Sequence, residues 1–264
     1  MFSVIRFLVP ILSVVLVGPL LAQTSWTANP LADTFVTTGP TNNLVNNNYG
    51  TLGALEISGS GATRSGVFKG IFDSVLKFDL ASAKTSFDTA YGAGLWTVQS
   101  VTLRLSTSTA TGNAMFNSNS TGQFSIVWMA NDTWAEGTGA APADGLTYAT
   151  LPGFLGAGDQ AAGTFTFDNS QNLTDGTTWT YDLAVGSGLS TDALTGGLAS
   201  FELLAATTGV SYLLNSSNFG TPSRRPLLTI TAVAVPEPAD ASLLIGGGLL
   251  LLVARRFVTA RGLL

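Results

Sequence analysis

The chain has 264 residues, a net charge of −5 and neither cysteine nor histidine. These facts exclude a disulfide framework, a Ser-His-Asp triad, a histidine-ligated zinc site and a histidine general base. Because phosphate contacts need clustered basic residues, the acidic balance also argues against a nucleic-acid partner.

Residues 1–22 have the pattern of a secretory signal peptide. Arg6 supplies a positive charge, residues 7–21 are almost wholly apolar, and Ala22 is a small residue at a plausible cleavage point. The sequence therefore predicts export, with Gln23 as the first residue of the mature chain.

Residues 23–234 are long enough for one domain and are rich in Gly, Thr, Ser and Asn, with few helix-forming residues. A short helical turn is predicted within residues 84–95. Ten strands are predicted between turn signals, over residues 34–36, 55–57, 74–80, 98–106, 123–130, 163–168, 177–183, 200–205, 210–215 and 226–233. Short strands separated by such turns predict an all-β fold, an antiparallel β-sandwich.

Two of these strands alternate clearly between apolar and polar residues. Lys77 and Arg104 each stand between apolar neighbours, which predicts that both lie on a solvated sheet face. The alternative for each is a contact with sugar hydroxyls or a uronate.

Residues 46–50, Asn-Asn-Asn-Tyr-Gly, are predicted to form a turn, because Asn tolerates left-handed backbone angles. One interpretation is that the turn joins two strands and Tyr49 covers the core. The other is a sugar site with the Asn48 amide and the Tyr49 ring as ligands.

Residues 131–137 place Trp134 between two carboxylates, those of Asp132 and Glu136. Trp134 either packs against the domain or stacks on a sugar ring. Asp132 and Glu136 are candidate metal ligands, with Ca²⁺ as the metal because it prefers oxygen ligands, although no calcium-loop motif is present. A glycosidase acid/base pair is a weaker alternative.

The end of the chain, residues 235–264, combines a Pro-Glu-Pro motif, an apolar stretch over residues 241–254 and an arginine pair. The apolar stretch would span only about 20 Å as a helix, against about 30 Å for a bilayer core. This order resembles the PEP-CTERM sorting signal. The resemblance implies that a short C-terminal transmembrane helix anchors the protein transiently in the inner membrane. It also implies that an exosortase then cleaves the chain near the Pro-Glu-Pro motif. The residues that carry it are Pro236, Glu237, Pro238, Arg255 and Arg256.

The middle of the chain resembles the DNRLRE-type domains, which are disaggregatase-related β-sandwiches grouped with carbohydrate-binding modules. The resemblance implies a jelly-roll sandwich that associates with extracellular polysaccharide. Six segments carry it, in the order expected for the family: residues 32–36, 46–51, 73–80, 101–105, 134–138 and 219–230.

Together these features predict an exported, envelope-sorted protein of the cell surface or extracellular matrix that binds polysaccharide without catalysis. The alternative is a structural biofilm-matrix protein without a glycan pocket, and the third hypothesis is a polysaccharide-degrading enzyme. The predicted ligand-binding residues are Asn48, Tyr49, Arg104, Trp134 and Glu136.

Overall fold

The structure of the protein is a computed structural model that describes residues 22–64, 66–108, 122–139, 144–167 and 176–235. The predicted signal peptide, apart from Ala22, and the predicted sorting tail, apart from Val235, lie outside these residues. Within the described part of the chain, no helix is long and apolar enough to cross a membrane.

Strands dominate the described residues. Two helices, α1 (Ala81–Tyr91) and α2 (Ser187–Thr195), and short 3-10 turns at Leu151–Gly153 and Pro222–Arg224 interrupt them. The strands are β1 (Gln23–Ala28), β2 (Ala32–Thr37), β3 (Ala54–Ser58), β4 (Thr63–Arg64), β5 (Val67–Phe68), β6 (Phe72–Asp79), β7 (Trp96–Ser106), β8 (Gly122–Met129), β9 (Gln160–Phe167), β10 (Thr178–Leu183), β11 (Leu198–Ala205), β12 (Ser211–Asn215) and β13 (Leu227–Ala234).

The strands form two large antiparallel sheets. A four-stranded sheet has the order β1-β13-β7-β10, and a seven-stranded sheet has the order β12-β3-β6-β11-β8-β9, with β2 also paired to β6. The strands β4 and β5 form a separate hairpin. The predicted all-β sandwich is confirmed, and each of the ten predicted strands has a counterpart. The sequence analysis did not predict β1, the β4–β5 hairpin or α2, and α1 begins three residues before the predicted helical turn.

The alternation of side chains along the strands builds the core between the sheets. Val101, Leu103 and Leu105 of β7 point inward and are buried, because every second residue of a strand faces the same side. Phe124 of β8 meets Tyr181 of β10 edge to face at a centroid distance of 5.1 Å, so aromatic contacts join the two sheets.

The two helices pack against this core through residues one turn apart. Ala83 and Phe87 are the buried residues of α1, and Leu189 and Ala193 are those of α2. Gly196, in the left-handed conformation at φ 70°, ends α2 and turns the chain into β11.

Two contacts tie the two sheets to each other. Thr107, just after β7, bridges to Leu214 of β12. On the other side the Ala184 amide donates to the Ala162 carbonyl at 2.8 Å. The first strand, β1, pairs along its whole length with the last strand, β13.

Candidate functional site

The chain that follows β8 folds back over the outer face of the seven-stranded sheet. Residues 130–139 and 144–159 form this segment, which we call the cover. Its apolar side chains pack on those of β2, β6 and β8. The buried residues of this second core are Val36, Val75, Met129, Trp134, Leu146 and Leu151.

Lys77 of β6 ties the cover to the sheet. Its ammonium group donates a hydrogen bond to the Trp134 carbonyl and lies 4.3 Å from the centre of the Trp134 ring. Burial lowers the pKa of Lys77, against the opposing effect of the Asp132 and Glu136 carboxylates. The prediction that Lys77 is solvated is wrong, since the cover leaves its side chain only 7% exposed.

Trp134 is the central side chain of the cover. It is 2% exposed, and its indole N–H donates to the Ser200 hydroxyl at 2.9 Å. Stacking on a sugar would need an open face of the ring, whereas this ring lies against the sheet beneath Lys77. Of the two interpretations of Trp134, the geometry favours packing.

Asn48 joins the turn before β3 to the cover. Its side-chain amide donates to the carbonyls of Glu136 at 2.7 Å and Leu146 at 2.9 Å. Its side-chain oxygen accepts from the amides of Gly139 at 2.9 Å and Gly50 at 3.3 Å. With these bonds and 4% exposure, Asn48 acts as a buried link between two loops.

The two residues that follow Asn48 also serve this contact. The Tyr49 ring stacks on Phe35 with centroids 4.4 Å apart and an interplanar angle of 13°, which fits the core-covering interpretation. A Cβ atom on Gly50 would lie 2.2 Å from the backbone oxygen of Glu136, so only glycine allows the turn and the cover to approach this closely.

Glu136 connects the cover to two segments that lie near the start and near the end of the described chain. Its carboxylate accepts from the Asp33 amide at 3.3 Å and from the Asn218 side chain at 3.4 Å. Asp33 in turn accepts from the amide of Ser217 at 2.6 Å and from its hydroxyl at 3.0 Å. Burial raises the pKa of Asp33 to about 7 and also raises that of Glu136.

Asp132 and Glu136 were predicted as metal ligands, with an acid/base pair as the weaker alternative. Both act electrostatically on Lys77, so their charges help to balance a buried cation. Burial raises the pKa of Asp132, and its Oδ1 atom has no hydrogen-bond partner among the described residues. Within that same part of the chain, no group of three or more acidic side chains is arranged to hold a metal ion. Calcium binding stays a prediction.

The sequence analysis missed three carboxyl groups on the seven-stranded sheet, of which Glu56 and Glu202 are buried and Asp73 is half-buried. Burial raises the pKa of Glu56 to about 8 and those of Asp73 and Glu202 to about 7. The register sets Glu202 opposite Val75, so Asp73 is its diagonal neighbour on β6, and their charges repel. Alternation alone could not reveal these groups, because it places them on the outward face of the sheet and does not show which parts of that face are buried.

The outer face of the four-stranded sheet has a different chemistry. Thr27 of β1 stands opposite Thr229 of β13, which stands opposite Thr102 of β7. No side-chain hydrogen bond joins these three threonines to other described residues. Neighbouring strands are about 4.8 Å apart, and residues on one face repeat about every 7 Å along a strand. We call the following residues the hydroxyl face: Ser25, Thr27, Ser100, Thr102, Thr229 and Thr231.

Arg104 lies on β7 two residues after Thr102 and therefore borders the hydroxyl face. It stands between Leu227 and Thr180 in the register, and its guanidinium group donates to the Ser223 carbonyl at 3.1 Å. The five predicted ligand residues thus do not converge. Asn48, Tyr49, Trp134 and Glu136 gather around the cover, and Arg104 lies on the other sheet. The signal for the hydroxyl face is Ser or Thr alternating with apolar residues, as in residues 100–102 and 229–231.

No protein-family model matches the chain, and no curated protein is significantly similar to it. The resemblances to a DNRLRE-type domain and to a PEP-CTERM signal therefore stay predictions.

Proposed function

We propose that the protein is exported through residues 1–22, sorted by the tail at residues 235–264 through an exosortase, and associates without catalysis with extracellular polysaccharide. The domain would then be a jelly roll of the carbohydrate-associated kind. The observation that carries the proposal is the row Thr27–Thr229–Thr102, because its residues line up across three strands on the outer face of the sheet.

A row of hydroxyl groups that bond to no other described side chain or backbone group suits a carbohydrate polymer. Each hydroxyl can donate one hydrogen bond and accept two, which matches the mixed donors and acceptors of sugars. The chain's net charge of −5 disfavours strongly anionic glycans, so neutral polymers fit best. Each hydroxyl contributes little, and binding would depend on the repeated contacts that a long polymer makes with many copies of the protein.

Affinity electrophoresis through gels of neutral and uronic-acid polysaccharides, with and without calcium, tests the proposal. The triple variant Thr27→Val, Thr102→Val and Thr229→Val keeps the shape and strand propensity of each residue but removes its hydroxyl. Loss of three hydrogen bonds should weaken retardation at least about tenfold.

A matched control alters hydroxyls on the other sheet. Ser125 and Thr164 bond to each other at 2.9 Å on β8 and β9, so Ser125→Ala with Thr164→Val should retain full retardation. Unchanged mobility of the wild-type protein in every gel would refute polysaccharide binding. Equal loss in both variants would refute the hydroxyl face as the site.

A structural matrix protein without a glycan site is the second candidate. The burial of Asn48 and Trp134 favours it, because both side chains are engaged within the domain. A wild-type protein that no gel retards, but that remains in the matrix fraction of cells, would support this candidate. Cleavage of a polysaccharide that is lost in Glu136→Gln would instead support an enzyme.

A further inference from the structure

The strand β1 forms one outer edge of the four-stranded sheet. Its side chains, those of Gln-Thr-Ser-Trp-Thr-Ala, include no charged group and no proline, and its register with β13 runs without a shift. Every second residue, Gln23, Ser25 and Thr27, is exposed. An outer strand presents unpaired N–H and C=O groups, and proteins usually block such an edge with charges, proline, bulges or covering loops.

The other outer strands of the described domain carry these protections. β9 has a register shift against β8, beside Gly163 at φ 149°. β10 carries Asp182, and the chain after it bonds to Ala162 of the neighbouring sheet. β2 is almost entirely buried, and β12 is wholly buried. Among the described strands, β1 is the outer strand that shows none of these protections.

The helix α1 packs against the inward side of β1, and β13 is the one described element that bonds to the backbone of β1. The Trp26 indole, on the inward side, donates to the Ser82 hydroxyl of α1 at 3.1 Å. The Tyr91 hydroxyl, at the end of α1, lies 2.9 Å from the Ala232 carbonyl and 3.0 Å from the Ala22 carbonyl, so its one hydrogen can bond to either oxygen. These contacts hold β1 flat against the domain, so a strand that pairs with it would find its backbone already in place.

We propose that β1 is an assembly edge, which pairs antiparallel with β1 of a second copy of this chain across a two-fold axis. A two-fold axis makes a segment its own partner, and β1 brings no like charges face to face. The two four-stranded sheets would become one continuous sheet.

The pairing also has a consequence for the hydroxyl face. An axis perpendicular to the sheet keeps the same side of both copies outward, so Ser25 and Thr27 of each copy would adjoin those of the other. The proposed polysaccharide surface would double in width and gain avidity. The pairing itself rests on the properties of β1 and does not depend on glycan binding.

Single cysteines introduced along β1 in the full chain test the pairing directly. The sequence has no cysteine, so any disulfide must join two copies. Opposed residues of an antiparallel pair have Cα atoms about 4.5–5.5 Å apart, which suits a disulfide. We expect one position between Gln23 and Ala28, the one on the axis, to give a strong dimer band on a non-reducing gel. Thr180→Cys, on the opposite edge strand, should give none.

A charge variant tests the pairing without cross-linking. Ser25→Glu with Thr27→Glu would place like charges across the axis while leaving exposed positions of the monomer exposed. The dimer Kd should rise at least about fivefold at low salt and partly recover at high salt. Thr178→Glu with Thr180→Glu is the matched control on β10 and should leave the dimer Kd unchanged.

Two results would overturn the proposal. One is a wild-type chain that sediments as a monomer at every concentration while no β1 cysteine cross-links. The other is a dimer that the β1 and β10 charge variants weaken equally. A monomer that polysaccharide gels still retard would remove the edge pairing alone. A cross-linked dimer that no gel retards would remove the proposed function alone.

Discussion

The outer faces of the two sheets are built from strands with the same alternating pattern of polar and apolar residues, but the two faces lie in different environments. On β6 the outward residues Val75 and Lys77 are buried beneath the cover, and the half-buried Asp73 beside them has a raised pKa. On β7 the outward residue Thr102 belongs to the hydroxyl face and Arg104 borders it, and both are half-buried. The difference teaches that a distant loop, more than the strand itself, decides whether a sheet face supports the fold or meets a ligand.

The comparison is sharpest at Trp134. We expect Trp134→Ala to lower the free energy of unfolding by about 3–5 kcal/mol, because it empties the centre of the second core and leaves Lys77 without its aromatic contact. Urea denaturation followed by circular dichroism measures this. A loss below about 1 kcal/mol would mean that the cover contributes little to stability.

The buried carboxyl groups predict a pH dependence that the hydroxyl face does not share. Burial raises the pKa of Glu202 to about 7, above its ordinary value in the unfolded chain. The folded state therefore binds this proton more tightly than the unfolded state does. The contribution of the protonated Glu202 carboxyl group to stability is full below about pH 4 and is lost as the pH rises through about 7.

We expect the free energy of unfolding to fall between pH 5 and pH 8, with a shallower fall in Glu202→Gln. Thr180→Ala, on β10, should keep the wild-type dependence. Urea denaturation at four pH values between 5 and 8 measures both variants. Stability that rises over this range would contradict the burial of these carboxyl groups.

The closeness of the cover to the turn at Asn48 can be tested at Gly50. A Cβ atom there would meet the Glu136 carbonyl at 2.2 Å, so Gly50→Ala must push the two loops apart. We expect a loss of about 1–3 kcal/mol in thermal or urea unfolding. Gly209→Ala is the control, because nothing lies within 4 Å of its added Cβ atom. Equal effects of the two variants would refute the tight contact.

The smallest effect is expected on the hydroxyl face. Thr102→Ala removes a half-buried hydroxyl that bonds to no other described residue, so stability should change by no more than about 0.5 kcal/mol. The same urea titration measures it. A loss above about 1 kcal/mol would show that this face is packed against another part of the chain.

The sequence predicted the strands well because alternation and turn residues are local signals. Val101, Leu103 and Leu105 fall inward as the pattern requires, whereas the predicted turn at residues 46–50 lies between two turns, at residues 40–46 and 50–53. The sequence analysis missed β1, since Gln-Thr-Ser-Trp-Thr-Ala lies next to the predicted cleavage point and alternates only weakly.

The candidate site was harder to predict than the fold. Lys77 and Asp73 have the spacing of exposed strand residues, and nothing nearby in the sequence shows that residues 130–159 will cover them. Trp134, Glu136 and Asn48 were correctly singled out as unusual, yet their contacts join loops almost a hundred residues apart. A single sequence does not show which distant loops pair. The types of residue alone therefore could not distinguish a ligand-binding site from a set of contacts between two loops of the same domain.

The pairing of β1 with β13 sets a limit on the order of folding. During synthesis β1 emerges first, and its partner β13 emerges last, about two hundred residues later. Until β13 arrives, β1 and β7 lack their shared neighbour, and the Asp33 carboxyl group lacks Ser217. Contacts this distant in sequence close slowly. The nascent chain must therefore stay unfolded until almost all of it has emerged, and during that time β1 is unpaired and able to pair with other strands.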